Sequence, residues 1–112
     1  MIRVLLVLFW ITLTWYGPGY YGNNTADGSL YTEEHWGIAA PVHIPLGTRI
    51  KVTVGNKYAI CTVTDRLGID DPLWWDASYA VASHLGIIEQ GRVVAQVEIL
   101  EEVTWEKMSW HR

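Results

Sequence analysis

The chain contains very little cysteine. Cys61 is the single cysteine among 112 residues, so no intramolecular disulfide can form and packing must hold the fold together. Its neighbours, A-I-C-T-V, alternate as in a β-strand, and this pattern favours a buried, inert thiol over a nucleophile. The four histidines are dispersed, and none of them joins a Cys/His cluster with zinc spacing. The sequence therefore predicts neither a metal site nor a cofactor.

Charged residues are also sparse, and basic ones are in the minority. Lys and Arg number 8 against 12 Asp and Glu, which gives a formal net charge of −4. No basic stripe is available to meet phosphates, so we expect no nucleic acid partner. Half of the residues are hydrophobic and 18% are charged, a balance that excludes a disordered chain. At this length we expect one domain with one core.

No hydrophobic run is long enough to span a bilayer. The apolar segment at residues 1–11 is much shorter than the ~20 residues that a transmembrane helix needs. It has the charge and the apolar stretch of an export signal, but it lacks a convincing small-x-small cleavage site. The alternation of Leu13 and Trp15 with Thr12 and Thr14 suits a first β-strand instead. Both interpretations stay open, and membrane contact is expected only through this segment, if it is retained.

Residues 49–64 carry the clearest strand pattern. R-I-K-V-T-V and K-Y-A-I-C-T-V-T alternate with period two on either side of Gly55-Asn56, which predicts a β-hairpin. Residues 92–100 predict a further strand, and residues 77–85 predict a short helix. Many short strands with one small helix are typical of a compact β-barrel.

We assign this barrel to residues 12–100 and treat residues 101–112 as a C-terminal tail. Trp105 and Met108 are three residues apart in the tail, a spacing that predicts a short helix packed on the barrel. A tail that binds a partner is the alternative.

Aromatic residues are abundant, with seven Trp and six Tyr in the chain. A Trp-rich core and a surface that stacks on flat ligands would each account for this number, and we expect both. Trp15, Tyr16 and Trp36 are candidate stacking platforms for a substrate. A core position is the alternative for each of them.

Asp76 directly follows a tryptophan pair and precedes the predicted helix. Alternation along an extended segment turns Trp75 into the barrel and leaves Trp74 on the face of Asp76, where it would line the substrate groove and help to raise the carboxyl pKa. An acid beside aromatic rings is what a protein needs to hold a sugar chain and protonate a glycosidic oxygen. As the alternative, Asp76 caps the helix, which would lower its pKa. Ser78 can take the cap instead.

Six short motifs occur in the order found in a known family. They are W-Y-G-P-G at 15–19, T-A-D-G at 25–28, I-A-A-P at 38–41, I-P-L-G-T-R-I at 44–50, V-T-D-R at 63–66 and D-A-S-Y-A-V-A-S-H-L-G at 76–86. On these motifs residues 12–100 resemble rare lipoprotein A-like domains, which belong to the double-psi β-barrel group with barwin and the expansins. The resemblance implies a mainly β fold, a six-stranded double-psi β-barrel with one or two short helices.

The resemblance also implies a function and a site. Proteins of this group bind polysaccharide in a groove, and bacterial members act on peptidoglycan by lytic transglycosylation. The aspartates of two family motifs match Asp76, as the catalytic acid and base, and Asp65. The resemblance gives Asp65 and Arg66 a place on the groove floor, where they orient the substrate or Asp76. Without it, adjacent opposite charges would indicate a solvated turn.

Two family positions differ in this chain. The histidine that usually follows A-A is Pro41, and the glutamate that usually follows T-A-N-G is Ser29. His43 lies two residues beyond the missing histidine and is the candidate to replace it in catalysis, and Asp27 lies close to the missing glutamate. A lone Asp76 fits transglycosylation better than hydrolysis, because the sugar's own 6-hydroxyl is then the nucleophile and no second carboxylate is needed to activate water.

Three functions are compatible with these residues. The first is a peptidoglycan lytic transglycosylase in which Asp76 is the acid and base. The second is a non-catalytic, expansin-like polysaccharide binder, which the two departures favour. The third is a structural or assembly module of a phage or secretion apparatus. The expected location is extracytoplasmic, in the periplasm or cell wall, or on a phage particle.

Overall fold

The computed structural model of the chain describes residues 7–101, which form a β-barrel with one α-helix. The strands are β1 (Val7–Trp15), β2 (Gly37–Ala40), β3 (Arg49–Val54), β4 (Lys57–Arg66), β5 (Trp74–Ala77) and β6 (Arg92–Glu101). The helix α1 spans Tyr79–Leu85, and a single 3₁₀ turn spans Pro18–Tyr20. The mainly β prediction is therefore confirmed.

The six strands close into a barrel in the order β1-β5-β2-β4-β3-β6. β1 runs parallel to β5 and β2 runs parallel to β4, whereas the other neighbouring pairs are antiparallel. The predicted hairpin is the β3–β4 pair, joined at a turn whose Gly55 has a positive φ of 60°. Closure leaves no unpaired strand edge along this part of the chain.

The barrel interior is filled by the alternating apolar residues of the strands. Ile50 and Val52 of β3 are fully buried, and their partners on the neighbouring strand β6, Ile99 and Val97, are buried as well. Trp75 has the largest fully buried side chain among the described residues and belongs to this core. The burial alternation predicted for the hairpin and for the last strand is confirmed.

Helix α1 follows β5 after a single residue, and its ends carry the expected caps. Ser78 is the N-cap, since its hydroxyl accepts a hydrogen bond from the backbone N–H of Val81. Gly86 ends the helix in the left-handed region at a φ of 74°, where a side chain would be strained. Because Ser78 is the N-cap, the Asp76 side chain in β5 does not cap the helix.

Two predicted segments are only partly described. Strand β1 begins at Val7, so residues 7–11 of the apolar segment pair within the barrel. The expectations for residues 1–6 and for the tail at 102–112, including the helix around Trp105 and Met108, lie outside the described residues. Within residues 7–101, no helix has the length and apolarity needed to cross a bilayer.

Candidate active site

The two candidate carboxylates lie on the two strands that flank β2, and both are paired with the same small residue, Ala39. Ala39 of β2 is paired with Asp65 of β4 and with Asp76 of β5. Directly paired residues point to the same face of a sheet, and neighbouring strands are about 4.8 Å apart. The backbones of Asp65 and Asp76 are therefore about 10 Å apart, and the methyl group of Ala39 leaves the space between their side chains open.

A β-bulge turns Asp65 toward this face. Ile38 pairs with Val63, but the next residue, Ala39, pairs with Asp65, so Thr64 is an extra residue in β4. Val63 is fully buried in the core. Regular alternation would send Asp65 to the same interior face as Val63, whereas the bulge places it beside Ala39 on the outside.

The three paired residues, Asp65, Ala39 and Asp76, form the floor of a cleft with a volume of about 380 Å³. The loop before β2 and the loop after β4 form its walls. The lining includes the side chains of Tyr16, Tyr20, Tyr31, Asp65, Arg66 and Asp76. The cleft thus combines two carboxylates, one guanidinium and three phenol rings, a set that suits a polyhydroxylated, flat ligand.

The environment of Asp76 suits a proton donor. Burial disfavours its charged form, while a hydrogen bond of 2.9 Å from Thr14 Oγ1 to Asp76 Oδ1 favours it. Burial outweighs this bond and, with the nearby Asp65 charge, raises the pKa of Asp76 to about 6. The carboxyl group therefore exchanges its proton close to neutral pH, which general acid and base catalysis requires.

Thr14 links Asp76 to Trp74. Its hydroxyl donates to Asp76 and accepts a 3.0 Å hydrogen bond from Trp74 Nε1. Trp74 is half-buried on the face of Asp76, and the guanidinium of Arg92 lies 4.4 Å from the centre of its ring. Trp75 points into the core, so the predicted alternation of the tryptophan pair is confirmed.

We expect Thr14→Val to raise the pKa of Asp76 further, because the carboxylate loses a donor that stabilises its charged form while the shape of the side chain is kept. An NMR pH titration of the Asp76 carboxyl carbon measures the change directly. Thr12→Val is the matched control, since Thr12 lies on the same strand two residues earlier and pairs with Trp74. A pKa that stays the same or falls in Thr14→Val would contradict the role given to this hydrogen bond.

Asp65 and Arg66 are held by backbone groups. Asp65 Oδ1 accepts hydrogen bonds from the backbone N–H of Ala26, at 3.0 Å, and of Arg66, at 2.9 Å. Arg66 Nη1 donates to the carbonyl oxygens of Ala40 and Pro41, at 3.3 and 3.2 Å. These bonds fix both side chains at the cleft floor and tie the loop that follows β1 to the end of β4.

The wall of the cleft beyond Asp65 is a cluster of tyrosines. The centres of the Tyr16 and Tyr31 rings lie 4.5 Å apart, and the centre of the Tyr21 ring lies 5.2 Å from that of Tyr31. Tyr31 Oη donates to the Tyr16 carbonyl at 2.7 Å and accepts from the backbone N–H of Tyr79 at 3.0 Å. Tyr31 therefore fastens the irregular segment before β2 to both β1 and α1.

Three of the residues named from the sequence lie away from Asp76. Trp15 donates its indole N–H to Ile88 at 3.2 Å and packs edge-on against Tyr79. Trp36 is 42% exposed and lies beside His84, on a different surface. His43 is exposed and lines a neighbouring hollow, which shares with the cleft only the loop that begins at Arg66.

The position of the missing family glutamate is occupied by a closed hydrogen-bonded turn. The hydroxyl of Ser29 donates to Asp27, which also accepts from the Thr25 hydroxyl at 2.6 Å and from the backbone N–H of Ser29 at 2.9 Å. Burial opposes the charge on Asp27, but these bonds outweigh it and lower the carboxyl pKa. Asp27 thus stabilises the turn at 25–29 and does not line the cleft.

Thr14, Tyr31 and His35 contribute to the site without having been singled out in the sequence. His35 Nε2 hydrogen-bonds the Thr64 hydroxyl at 2.9 Å, and burial lowers the pKa of this histidine. A Cβ at Gly37 would lie 2.4 Å from Thr64 Oγ1, so the glycine is needed for this contact. The position of Gly37, two residues after His35 and directly before the I-A-A-P motif, was the available signal.

Cys61 is buried in the barrel, and burial raises the pKa of its thiol to about 12, as a structural cysteine requires. Within the described residues, no three side chains of His, Cys, Asp or Glu are grouped so that they could hold a metal ion.

Two solved structures show the class of fold. The Streptomyces papain inhibitor superposes with a TM-score of 0.69 at 17% identity, over 83% of this chain and 93% of that one. A mutant of the Clavibacter michiganensis expansin, in complex with cellohexaose, superposes with a TM-score of 0.70 at 13% identity, over 88% of this chain and 52% of that one. The barrel is therefore a double-psi β-barrel.

Curated relatives identify the branch of this group. The chain is 34% identical over 97 residues to the endolytic peptidoglycan transglycosylase RlpA of Pseudomonas aeruginosa, 29% over 89 residues to that of Vibrio cholerae and 30% over 89 residues to that of Campylobacter jejuni. No protein-family model matches. The matched segment is a rare lipoprotein A-like double-psi β-barrel domain, as the motifs indicated.

The match covers most of this chain but only part of each relative. It spans 84%, 78% and 78% of this chain, and 28%, 34% and 32% of the three proteins. The relatives thus contain long segments that have no counterpart in the match.

Proposed function

We propose that this domain cleaves the glycan strands of peptidoglycan as a lytic transglycosylase, with Asp76 as acid and base. The observation that carries the proposal is the partly buried Asp76 carboxyl at the floor of an open cleft, with its pKa raised to about 6. The names of the relatives support the same reaction class and substrate.

In this reaction the protonated Asp76 donates its proton to the glycosidic oxygen as the bond to the anomeric carbon breaks. The 6-hydroxyl of the same muramic acid then attacks the anomeric carbon and closes a 1,6-anhydro ring, and the Asp76 carboxylate takes up the hydroxyl proton. One carboxyl group serves both steps, because the nucleophile is already part of the substrate. No water is consumed, which agrees with a cleft that has a single carboxyl with a raised pKa.

The remaining cleft residues bind and orient the strand. Asp65 is fixed by two backbone N–H groups and lies across Ala39 from Asp76, so it can accept hydrogen bonds from sugar hydroxyls. Arg66 donates from the cleft floor, and its guanidinium is already oriented by two carbonyls. Tyr20 is 57% exposed at the cleft rim and offers a ring on which a sugar can stack.

A non-catalytic polysaccharide binder is the second candidate, and two observations favour it. The turn at Ser29 is closed by hydrogen bonds to Asp27, and Pro41 occupies the position of the family histidine, with His43 exposed outside the cleft. Such a domain would keep the cleft and its tyrosines but would cleave glycan strands slowly or not at all. A purely structural module is less well supported, since it would need neither an open cleft nor a perturbed carboxyl.

The domain would act outside the cytoplasm, in the periplasm or cell wall, where peptidoglycan lies. A phage particle that carries the domain to the wall is the alternative location.

Purified sacculi test the proposal. We expect the protein to release soluble muropeptides that end in 1,6-anhydromuramic acid, which mass spectrometry separates from hydrolysis products by the missing mass of one water. Heat-denatured protein is the control. Protein that pellets with the sacculi but releases no anhydro product would support the non-catalytic binder and contradict the proposed transglycosylase activity.

A further inference from the structure

The row of paired residues Asp65, Ala39 and Asp76 continues across two more strands. Thr14 of β1 is paired with Asp76 on one side and with Arg92 of β6 on the other. Paired residues point to the same face of a sheet. Arg92 therefore lies on the outer face of the barrel, on the side of Asp76 opposite Asp65, and its backbone is about 10 Å from that of Asp76.

Trp74 positions the Arg92 side chain on this face. The guanidinium carbon of Arg92 lies over the Trp74 ring, 4.4 Å from its centre. The indole N–H of Trp74 donates a 3.0 Å hydrogen bond to Thr14 Oγ1, so the ring is fixed by the same hydroxyl that bonds Asp76. An aromatic ring attracts the cation but offers no lone pair to its N–H groups. Because Arg92 is exposed, these donors are accessible to a ligand.

The Arg92 charge is not used to stabilise the Asp76 carboxylate. Burial and the negative charge of Asp65 raise the pKa of Asp76, and the hydrogen bond from Thr14 lowers it. The other arginine of the site, Arg66, is engaged by two backbone carbonyl oxygens. Arg92 has neither role, and binding of an anionic ligand group would account for its place beside the acid.

A polymer that is cleaved within its chain extends past the acid on both sides. The 380 Å³ cleft holds the Asp65 side of Asp76, and neither Trp74 nor any described residue of β6 lines it. A strand that continues past Asp76 in the other direction crosses β1 and meets Arg92 where it rests on Trp74.

Peptidoglycan presents carboxylates at regular intervals along its strand. Each muramic acid carries a lactyl group whose carboxyl is either free or amide-linked to a stem peptide with carboxylates of its own. A guanidinium matches a carboxylate with two parallel N–H···O hydrogen bonds. In the cleft itself, by contrast, the charges of Asp65 and Asp76 repel an anionic group.

We propose that Arg92, held over Trp74, binds a carboxylate of the peptidoglycan strand on the side of Asp76 that faces away from Asp65. The inference rests on the proposed function in taking peptidoglycan as the ligand, but it requires binding and not cleavage. Arg92 is a specificity-determining residue that sets which part of the strand lies against the acid, and Asp76 retains the chemistry.

Arg92→Gln tests the proposal because it removes the charge and keeps a polar side chain. Binding is measured by calorimetry or NMR titration in an Asp76→Asn background, where turnover cannot interfere. The probes are a bare tetrasaccharide of alternating N-acetylglucosamine and N-acetylmuramic acid, the same tetrasaccharide with its stem peptides, and chitotetraose, which has no carboxylate. We expect binding of a carboxylate-bearing probe to weaken roughly 5- to 20-fold, between the effects of an exposed ion pair and a buried charged hydrogen bond. Binding of chitotetraose should not change.

The two carboxylate-bearing probes distinguish the sources of the carboxylate. A loss confined to the bare tetrasaccharide identifies the lactyl carboxylate as the ligand of Arg92, and a loss confined to the peptide-bearing one identifies the stem peptide. Arg49→Gln is the matched control, since Arg49 is an exposed arginine on β3, outside the row. It changes the net charge equally and should leave the binding of every probe as in the parent.

The proposal is overturned if Arg92→Gln binds both carboxylate-bearing probes as tightly as its parent, if it weakens chitotetraose to the same extent, or if Arg49→Gln has an equal effect. It is also overturned if the parent binds neither carboxylate-bearing probe. Its outcome is separate from that of the enzyme. Anhydro product from the wild type together with unchanged binding in Arg92→Gln would remove this inference alone, whereas a selective loss in Arg92→Gln without anhydro product from the wild type would remove only the enzyme.

Discussion

Asp76→Asn should lower the release of anhydromuropeptides from sacculi by at least about 100-fold, the smallest usual effect of losing a general acid. The amide cannot protonate the glycosidic oxygen, but it keeps the size of the side chain and an oxygen that accepts from Thr14. Sugar binding should therefore survive. Asp65→Asn is the comparison and should reduce turnover less, because orientation is weakened while proton transfer is kept. Equal losses in the two variants would contradict the separate roles.

The pH profile of the wild-type protein should report the same group. The first step needs Asp76 protonated, so the rate should fall as pH rises through the pKa of about 6. Thr14→Val should raise that pKa and therefore move the alkaline limb of the profile to higher pH. If Thr14→Val leaves the alkaline limb at the same pH, the limb reports the titration of a group other than Asp76.

Asp76→Asn should also stabilise the protein at neutral and alkaline pH. The folded-state pKa of Asp76 is raised from 3.8 to about 6, so its charge costs free energy in the folded state. The stability linked to this group is fully present below its unfolded-state pKa and is lost as pH rises through about 6. At pH 8 the amide should therefore be more stable by up to about 3 kcal/mol. Denaturant unfolding at pH 4 and pH 8 measures the difference, which should be small at pH 4.

The hairpin, the last strand and the short helix could be predicted from the sequence because each has a regular period. The alternation in W-W-D also predicts correctly that Trp75 is buried, since β5 is regular over that length. The sequence left the cap open between Asp76 and Ser78, and the structure shows Ser78 in this role because β5 continues to Ala77.

The arrangement around Asp65 could not be predicted by the same means. Alternation from Val63 would bury Asp65, and only a one-residue bulge against Ala39 brings it to the cleft. Tyr31 and His35 lie in a segment without periodicity, and their roles arise from tertiary contacts with Tyr16 and Thr64. The resemblance to a family supplied Asp65 as a candidate, whereas no local pattern marked the tyrosine wall.

Trp75→Ala should cost about 3–5 kcal/mol of folding free energy, the largest stability effect expected of a single substitution in this barrel. The side chain is fully buried, and the ring of Phe9 packs against it with 5.8 Å between ring centres and an angle of 55° between the ring planes. The cavity would open inside the closed barrel, where the surrounding strands limit collapse. Denaturant unfolding at pH 5 measures the loss with little contribution from the Asp76 charge.

Trp75→Phe separates packing from the polar group, in case the alanine variant does not fold. Trp75 Nε1 has no hydrogen-bond partner among the described residues, so phenylalanine removes an unpaired N–H together with part of the ring. The gain from losing the unpaired group offsets part of the cavity cost, and the loss should be well below that of Trp75→Ala. Trp74→Ala is the neighbouring control. It loses a half-buried ring and one hydrogen bond, and should cost clearly less than Trp75→Ala. Similar losses for Trp74→Ala and Trp75→Ala would mean that the core does not depend on the inward-facing residue of the pair.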